Sequence, residues 1–380
     1  QMLASPRRVS YKTPLAISFS KTPYFGDDSG ELLVRTSVSN PQGVLHLTAR
    51  MGGDVLVEQE IGASVQEVVA VPFNLLPASM NRPVDIELSD LDGKVRLAVR
   101  SLRLVRVADK KRGRTGVDHK RRAITVDGHP FFSIAWFSTY LSFGLDRTLR
   151  SLRDMSRRGV NSLMMYNLLE GAQQDPLASP TSDNPDADAV MDAAGAMGIK
   201  MHVCLLEVTR KLASGLTHNY TLLDRIVTKW RDHPALLSWY VADDDAGPFL
   251  PEVYARIKTL DPYHLVTMAI AGVGHAFEHR FIHGSDVIMV ENYPRDAMGA
   301  YTNMDTLAHW PLEFMPSLTC GRAWAIAEDG ALVTPELFRA QLYTALAAKT
   351  TGEIWFAYRN AGGWNEPGVP LEEVGGMAAR

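Results

Sequence analysis

The sequence predicts an all-β sandwich followed by a (β/α)8 TIM barrel. In the first part of the chain, apolar and polar residues alternate with the period of two that is typical of half-buried strands. From about residue 124, apolar runs alternate with stretches of helical period, a pattern that is typical of parallel α/β folds. We therefore predict a β-sandwich domain over residues 1–108, a basic linker over 109–123 and a barrel over 124–380.

The first domain is predicted from short alternating runs separated by turn residues. Val84, Ile86 and Leu88 alternate with polar residues, and Asp92-Gly93 supplies a hairpin turn before the next alternating run. An earlier run behaves in the same way and turns at Gly52-Gly53. Several such strands with no helical stretch between them indicate a β-sandwich.

The predicted linker is strongly basic. It could contact a polyanion, or it could be a solvated and protease-sensitive joint between two domains. Its basic residues are Lys110, Lys111, Arg112, Arg114, Lys120, Arg121 and Arg122.

Eight apolar runs predict the strands of the barrel, since a buried parallel strand is apolar on both faces. They are Phe131–Phe137, Ser162–Tyr166, Met201–Leu206, Leu236–Ala242, Leu265–Ala271, Val287–Val290, Ala323–Ala327 and Ile354–Tyr358. Helical stretches lie between many of them. They include Asp146–Arg158, Asp186–Met197, Leu222–Arg231, Pro251–Leu260 and Pro335–Lys349.

Glycine and proline mark the ends of the predicted helices. Gly159 and Gly198 stand where helix C-caps belong, and Pro251 and Pro335 stand where a first helical turn tolerates proline. The eighth helix is predicted to be truncated, because the segment left for it, Leu371–Arg380, is short and contains Gly375-Gly376. We interpret this as a sign of a longer polypeptide with further domains.

Composition excludes several partners and gives a weak indication of location. A net charge of −4 gives no general reason for nucleic-acid binding, and no apolar stretch approaches the ~20 residues of a membrane span. Two cysteines cannot build a disulfide framework. The chain starts at Gln1, which fits removal of a leader, and Asn219-Tyr220-Thr221 is a glycosylation sequon. We therefore expect a secreted glycoprotein.

Two apolar runs end abruptly in carboxylates. One is Trp239–Asp245, which ends in three aspartates, and the other runs through Ala327 into Glu328 and Asp329. In an α/β barrel the functional residues lie at the carboxyl ends of the strands. Two carboxylates brought together there are the minimum that cleavage of a glycosidic bond requires.

Five motifs in order resemble those of the clan A glycoside hydrolase superfamily, over about residues 124–360. Each motif alone is weak, but together and in this order they favour that superfamily. They are Val126–Phe132 (VDGHPFF), Gly159–Leu163 (GVNSL), His233–Asp244 (HPALLSWYVADD), Leu260–His264 (LDPYH) and Asn292–Pro294 (NYP).

This resemblance implies a retaining glycosidase that acts on an oligo- or polysaccharide without a cofactor. It gives Glu328 on strand seven the role of nucleophile, Asp244 on strand four that of acid/base, and Asp243 that of orienting a substrate hydroxyl. The superfamily normally has glutamate at the acid/base position. Because aspartate is one methylene shorter, the proton donor at Asp244 would be displaced by more than 1 Å, and a shift of about 1 Å can cost ~100-fold in rate.

Other residues near strand ends are candidate substrate contacts, since aromatic faces stack on sugar rings and polar side chains bind hydroxyls. Tyr293 is the strongest, because the superfamily often has a tyrosine there that touches the nucleophile. Arg359 could pair with an anionic sugar. The candidates are Trp136, Tyr166, Asn167, Glu207, Glu291, Tyr293, Tyr358 and Arg359.

Alternative interpretations stay open at this stage. Asp243 and Asp244 could belong to a helix-capping turn, and Glu328 could be a structural acid paired with Arg359. No metal site is predicted, because consecutive aspartates cannot all point at one ion. The alternative function is a catalytically inactive, glycosidase-like protein that binds carbohydrate or has a structural role. A different barrel enzyme is disfavoured, since the sequence has no HxH motif and no phosphate loop. His275, His279 and His283 do recur every four residues, but Gly272 and Gly274 before them favour a loop over a metal-binding helix.

Overall fold

A computed structural model describes residues 14–38, 43–90, 95–138, 144–166, 168–169, 184–213, 220–244, 249–270, 284–294, 296–308, 317–322 and 334–356. The strands before the barrel are β1 (Leu15–Phe19), β2 (Lys21–Thr22), β3 (Tyr24–Phe25), β4 (Gly30–Thr36), β5 (Val44–Met51), β6 (Asp54–Gly62), β7 (Gln66–Val71), β8 (Met80–Ser89), β9 (Arg96–Val107), β10 (Thr115–Asp118), β11 (Ala123–Val126) and β12 (His129–Phe131).

The barrel strands are β13 (Ser133–Ser138), β14 (Ser162–Met165), β15 (Lys200–Cys204), β16 (Leu236–Tyr240), β17 (Leu265–Ile270), β18 (Val287–Asn292), β19 (Ser317–Arg322) and β20 (Gly352–Phe356). The α-helices are α1 (Leu145–Arg157), α2 (Pro185–Ala196), α3 (Leu206–Ala213), α4 (Thr221–Trp230), α5 (Leu250–Leu260), α6 (Ala297–Ala308) and α7 (Pro335–Ala347). Among the described residues, no helix combines the length and the apolar character that crossing a bilayer requires.

Two sheets in the first part of the chain share one hydrophobic core. β1, β4 and β7 form a three-stranded antiparallel sheet, and β3, β9, β8, β5 and β6 form a five-stranded sheet in that order. Leu32, Leu47 and Leu104 are fully buried in the shared core. The predicted hairpin between β5 and β6 is confirmed, and it turns at Gly52 and Gly53, whose φ values of 59° and 97° favour glycine.

A third sheet contains part of the segment that the sequence indicated as a linker. β10 and β11 pair with each other, β2 adds to one edge and β12 to the other. Three of its lysines form ion pairs, with Lys110 Nζ 2.7 Å from Asp27, Lys120 Nζ 2.7 Å from Glu31, and Lys111 bound to Asp232. The segment is therefore partly strand rather than an irregular joint, whereas the division of the chain into domains stays a prediction.

Eight parallel strands, β13 to β20, pair in sequence and close into a barrel, with β13 hydrogen-bonded to both β14 and β20. The alternation of side chains along each strand separates two cores. Phe137, Met164 and Tyr240 lie in the inner core. Leu163 and Met201 belong to an outer core that the helices cover.

The predicted fold class needs correction, because the described residues do not show a complete (β/α)8 barrel. Within them, helices follow only six of the eight strands, and none is described after β17 or β20. The seventh strand also lies earlier than predicted, at Ser317–Arg322, while the predicted run 323–327 lies outside the described residues. The sequence pattern missed β19 because the strand contains Gly321 and Arg322 instead of a continuous apolar run. The predicted truncated eighth helix also lies outside them.

The four-stranded sheet covers the amino end of the barrel. Val117 and Ile124 pack into the inner core. Thr115 Oγ1 donates a 2.8 Å hydrogen bond to the carbonyl of Leu237 and accepts one of 3.0 Å from the amide of Leu265, near the starts of β16 and β17. The carboxyl ends of the strands therefore form the opposite end, where α/β barrels carry their functional residues.

The predicted helix boundaries are largely confirmed. Gly159 and Gly198 directly follow the C-caps of α1 and α2 with φ values of 81° and 72°, the left-handed conformation expected of a helix-terminating glycine. Pro251 and Pro335 lie in the first turns of α5 and α7.

Candidate active site

The carboxyl end of β16 is held to β17 by backbone hydrogen bonds that continue past the strand. The amide of Val241 donates to the carbonyl of Thr267 (2.9 Å), and the amide of Ala269 donates to that of Ala242 (3.0 Å). The amide of Asp244 then donates to the carbonyl of Ala269 (3.3 Å). Both Asp243 and Asp244 are therefore positioned by the barrel itself.

Asp244 has an unusual backbone conformation for a residue with a side chain. Its φ is 59°, in the left-handed region that aspartate tolerates better than most residues. The chain turns sharply there, which leaves Asp243 partly buried and Asp244 exposed. The two adjacent carboxylates therefore differ in solvent exposure, although they belong to the same turn.

Two phenols hold Asp243 in place. The Tyr240 hydroxyl donates a 2.5 Å hydrogen bond to Asp243 Oδ1, and the Tyr166 hydroxyl donates a longer one of 3.4 Å to the same oxygen. Burial, followed by the nearby Tyr166 and Asp243, raises the pKa of Tyr240 well above 10. Tyr240 therefore remains a neutral donor at any physiological pH.

Glu291 brings a third carboxyl group from β18. The Tyr293 hydroxyl donates a 2.9 Å hydrogen bond to Glu291 Oε1. One carboxylate oxygen from each of Asp243, Asp244 and Glu291 lies within 4.8 Å of the others. Strands four and six, which are separated by β17, therefore place three acidic groups at one point of the barrel mouth.

The pKa of Glu291 is raised to about 7. Burial is the largest cause, and the negative charge of Asp244 adds to it. The hydrogen bond from Tyr293 acts in the opposite direction, and Asp243 contributes a smaller increase. Glu291 is therefore a carboxyl group that holds its proton close to neutrality, which is the property required of a catalytic acid.

Aromatic side chains line the barrel interior beside these carboxylates. Phe137 stacks on Tyr166 with ring centroids 5.5 Å apart and an interplanar angle of 18°. Phe356 meets Phe137 at 5.8 Å and Tyr166 at 6.3 Å, edge to face. Tyr166 and Phe356 are partly exposed. Phe137 and Phe356 are not among the contacts predicted from the sequence, although the period of two along β13 and β20 indicates their inward direction.

Five of the residues that the sequence singled out come together at the mouth, namely Asp243, Asp244, Tyr166, Glu291 and Tyr293. Trp136 lies elsewhere: it is fully buried in the outer core, with its ring 6.0 Å from Phe338 and 5.6 Å from Trp355.

The remaining candidates stay predictions. Glu328, Asn167, Tyr358 and Arg359 lie outside the described residues, as does the side chain of Glu207, whose backbone belongs to α3. The predicted pairing of Asp244 with Glu328 is therefore untested. The spacing of the three carboxyl groups also permits a bridging cation, but exposed acidic groups at such distances are common without one. The expectation of no metal and no cofactor likewise stays a prediction.

Comparison with known proteins shows that this chain shares a fold with solved structures, but it does not assign the chain to a family. No protein-family profile matches the chain, and no curated protein matches it by sequence. The chain is similar to the crystal structure of a β-glucuronidase from Ruminococcus gnavus, with 11% identity and a TM-score of 0.50, over 96% of this chain and 67% of that one. The apo structure of the β-glucuronidase from the same organism gives 12% identity, the same TM-score and the same coverage. At such low identity the likeness concerns the fold alone.

Proposed function

We propose that the protein is a glycoside hydrolase that cleaves glycosidic bonds in an oligo- or polysaccharide. The observation that carries this proposal is the cluster of Asp243, Asp244 and Glu291 at the carboxyl end of the barrel. It places two aspartate side chains and a glutamate carboxyl group with a raised pKa within a few ångströms of each other. Glycosidases need this combination of a proton donor and a carboxylate.

The surroundings of the cluster support a sugar as the substrate. Tyr166 and Phe356 present partly exposed rings on which the apolar face of a sugar could stack. Asp243, which Tyr240 and Tyr166 hold in one orientation, would accept hydrogen bonds from substrate hydroxyls. The fold likeness to a β-glucuronidase agrees with the proposal, although a shared barrel fold hosts many activities.

In the proposed retaining mechanism, a clustered carboxyl group donates a proton to the glycosidic oxygen. The predicted nucleophile Glu328 attacks the anomeric carbon from the opposite face. The electrons of the broken carbon–oxygen bond remain on the departing oxygen, and a covalent glycosyl-enzyme forms. Water then hydrolyses this intermediate, so the anomeric configuration is retained.

A substrate screen with product analysis tests this function. The panel would contain 4-nitrophenyl glycosides of neutral, amino and uronic sugars together with soluble polysaccharides. We expect turnover of at least one substrate class, retention of configuration in the ¹H NMR spectrum of the first-formed product, and loss of turnover in Glu328→Gln. Inverted product would contradict the retaining mechanism.

The alternative function, a catalytically inactive carbohydrate-binding or structural protein, is favoured by one observation. Asp244 replaces the glutamate that the superfamily pattern leads one to expect, and it is exposed at a sharp turn. Calorimetric binding of sugars without turnover of any member of the panel would select this alternative.

We also propose that the protein is secreted and glycosylated at Asn219. The third residue of the sequon, Thr221, is the first residue of α4. A shift in electrophoretic mobility after peptide-N-glycosidase treatment of natively expressed protein would support this proposal. An unchanged mobility would remove the argument for secretion.

A further inference from the structure

We propose that Glu291 is the catalytic acid of this site, in the role that the sequence assigns to Asp244. This inference rests on the proposed glycosidase function and specifies which carboxyl group supplies the proton. Nothing in the sequence pattern points to strand six for this role, because the superfamily resemblance places the acid on strand four.

The geometry favours Glu291 over Asp244 as the donor. Aspartate at position 244 is one methylene too short for the role, and its turn leaves it exposed. Glu291 brings the longer side chain from β18, and one of its oxygens reaches within 4.8 Å of those of both aspartates. Glu291 thus brings its carboxyl group to the end of strand four, where the superfamily resemblance places the acid.

The hydrogen bond from Tyr293 assigns the two oxygens of Glu291 different roles. Tyr293 donates to Oε1, so Oε1 acts as an acceptor. With Oε1 accepting this hydrogen bond, a proton on the carboxyl group resides on Oε2, which is left to act as the donor. Tyr293 in this way orients the donor without competing for its proton.

The charged and titratable groups around Glu291 favour its protonated form. Asp244 and Asp243 face it from the end of β16, with Tyr240 and Tyr166 behind Asp243, and Tyr293 follows it on its own strand. On the β19 side it pairs in register with Cys320. Two nearby carboxylates and partial burial disfavour a further negative charge, whereas the Tyr293 hydrogen bond only partly offsets them.

The proton on Glu291 Oε2 moves to the glycosidic oxygen while the bond between that oxygen and the anomeric carbon breaks, and the bonding electrons stay on the oxygen. A carboxylate on the opposite face, which we predict to be Glu328, bonds to the anomeric carbon. In the second half of the reaction, water attacks that carbon, gives its proton to the Glu291 carboxylate and releases the nucleophile.

The experiment compares Glu291→Gln, Asp244→Asn and a control, Glu87→Gln, whose residue pairs with Arg96 in the five-stranded sheet. Each is assayed from pH 4 to 9 on phenyl and 2,4-dinitrophenyl glycosides of the sugar that the screen selects. For Glu291→Gln we expect kcat/KM to fall by about 10²–10⁴-fold on the poor leaving group and less than about tenfold on the activated one. The alkaline loss of activity near pH 7 should disappear. Asp244→Asn should keep that alkaline limb and move it to lower pH, since a negative neighbour is removed.

A second measurement does not depend on turnover. In protein labelled with ¹³C at glutamate carboxyls, the resonance that vanishes in Glu291→Gln should titrate near pH 7. Titration near pH 4.5, or an unchanged alkaline limb in Glu291→Gln, would overturn the role of Glu291 while leaving the glycosidase function standing. Absence of wild-type turnover on every substrate of the screen would instead overturn the function, and the catalytic role with it. Circular dichroism and the Glu291→Asp variant separate loss of folding from loss of the acid.

Discussion

The Tyr240 hydroxyl donates a 2.5 Å hydrogen bond to Asp243 Oδ1 at the carboxyl end of β16, where the packed barrel interior borders the candidate active site. Tyr240 is fully buried and packs edge to face against Phe137 at 6.3 Å. The packed core therefore fixes the position of the Tyr240 ring, and the Tyr240 hydroxyl in turn fixes the orientation of the Asp243 carboxylate. Tyr240 itself is buried and would not contact the substrate.

Removing this hydroxyl should loosen Asp243. In Tyr240→Phe, we expect KM to rise about tenfold with a smaller change in kcat, because a hydrogen bond to a charged group is worth about 1.5–3 kcal/mol and it orients a binding group here. Steady-state kinetics on the selected glycoside would measure the two constants separately. Tyr301→Phe, on an exposed ring of α6, is the control. A fall in kcat with unchanged KM would contradict the positioning role.

Two neighbouring aromatic residues of the barrel should respond differently to mutation. Trp136→Leu removes a ring that stacks on Phe338 in the outer core, so we expect it to lower the free energy of unfolding by about 2–4 kcal/mol. KM of the folded variant should change less than twofold. Tyr166→Leu removes a partly exposed ring of the site and a donor to Asp243, so it should raise KM at least about tenfold.

Urea unfolding and steady-state kinetics on both variants check this contrast. The matched substitution to leucine keeps the chemical change similar, so the location of the ring decides the outcome. If Trp136→Leu raised KM as strongly as Tyr166→Leu, Trp136 would have to contact the substrate after all.

The assignment of Trp136 illustrates the limit of reading strand ends from the sequence. The sequence correctly indicated the strand, but the side to which each residue points depends on the phase of the alternation relative to the barrel axis. Ala135 and Phe137 belong to the inner core, so Trp136 between them faces the helices. If the alternation is assigned one residue out of phase, a side chain that faces the outer core is wrongly predicted to face the active site.

The acidic turn after strand four was predictable, whereas the property of Glu291 was not. Asp243 and Asp244 stand out because an apolar run ends in them. The raised pKa of Glu291 depends on burial and on aspartates from another strand, 47 and 48 residues earlier in the sequence numbering. Only the pairing of the parallel strands brings these groups together. The strand β10 was not predicted for a related reason. Basic residues on both sides of it are typical of a solvated linker, and their acidic partners lie far away in the sequence.

A buried ion pair outside the site should dominate the stability of the barrel wall near α5. Lys258 Nζ lies 2.7 Å from Asp286 Oδ2, and both side chains are almost completely buried. The Tyr254 hydroxyl and the amide of Val266 also donate to Asp286. In Lys258→Met we expect unfolding to become easier by about 3–5 kcal/mol, because an uncompensated buried charge remains.

The control for this prediction is Lys229→Met, whose residue pairs with Asp188 at 2.7 Å on the surface. We expect this change to cost less than about 1 kcal/mol, since exposed ion pairs contribute little. Urea denaturation at pH 7 measures both. Equal effects of the two substitutions would mean that the buried pair adds no more to stability than a surface pair does.

The last prediction concerns the dependence of stability on pH. His202 is fully buried inside the barrel, where its Nδ1 lies 2.6 Å from Ser238 Oγ. Its Nε2 has no hydrogen-bond partner in the described part of the chain. Burial lowers the pKa of His202 from 6.5 to about 3. Between these two values the unfolded chain binds a proton that the folded protein does not, so stability should fall as the pH is lowered from 6.5 towards 3.

Replacing His202 with asparagine should remove this part of the pH dependence. Each pH unit within the window contributes up to about 1.4 kcal/mol from this group, so the slope of the unfolding free energy against pH should decrease by roughly that amount in His202→Asn. Glu291 has the opposite effect on stability. Because its pKa is raised in the folded protein, the folded state binds one more proton than the unfolded chain between about pH 4.5 and 7, which favours folding as the pH falls. Glu291→Gln should therefore make the loss of stability at low pH steeper. Urea unfolding of wild type and both variants at half-unit steps from pH 4.5 to 7.5 measures these slopes, and identical slopes for wild type and His202→Asn would show that His202 is protonated in the folded protein.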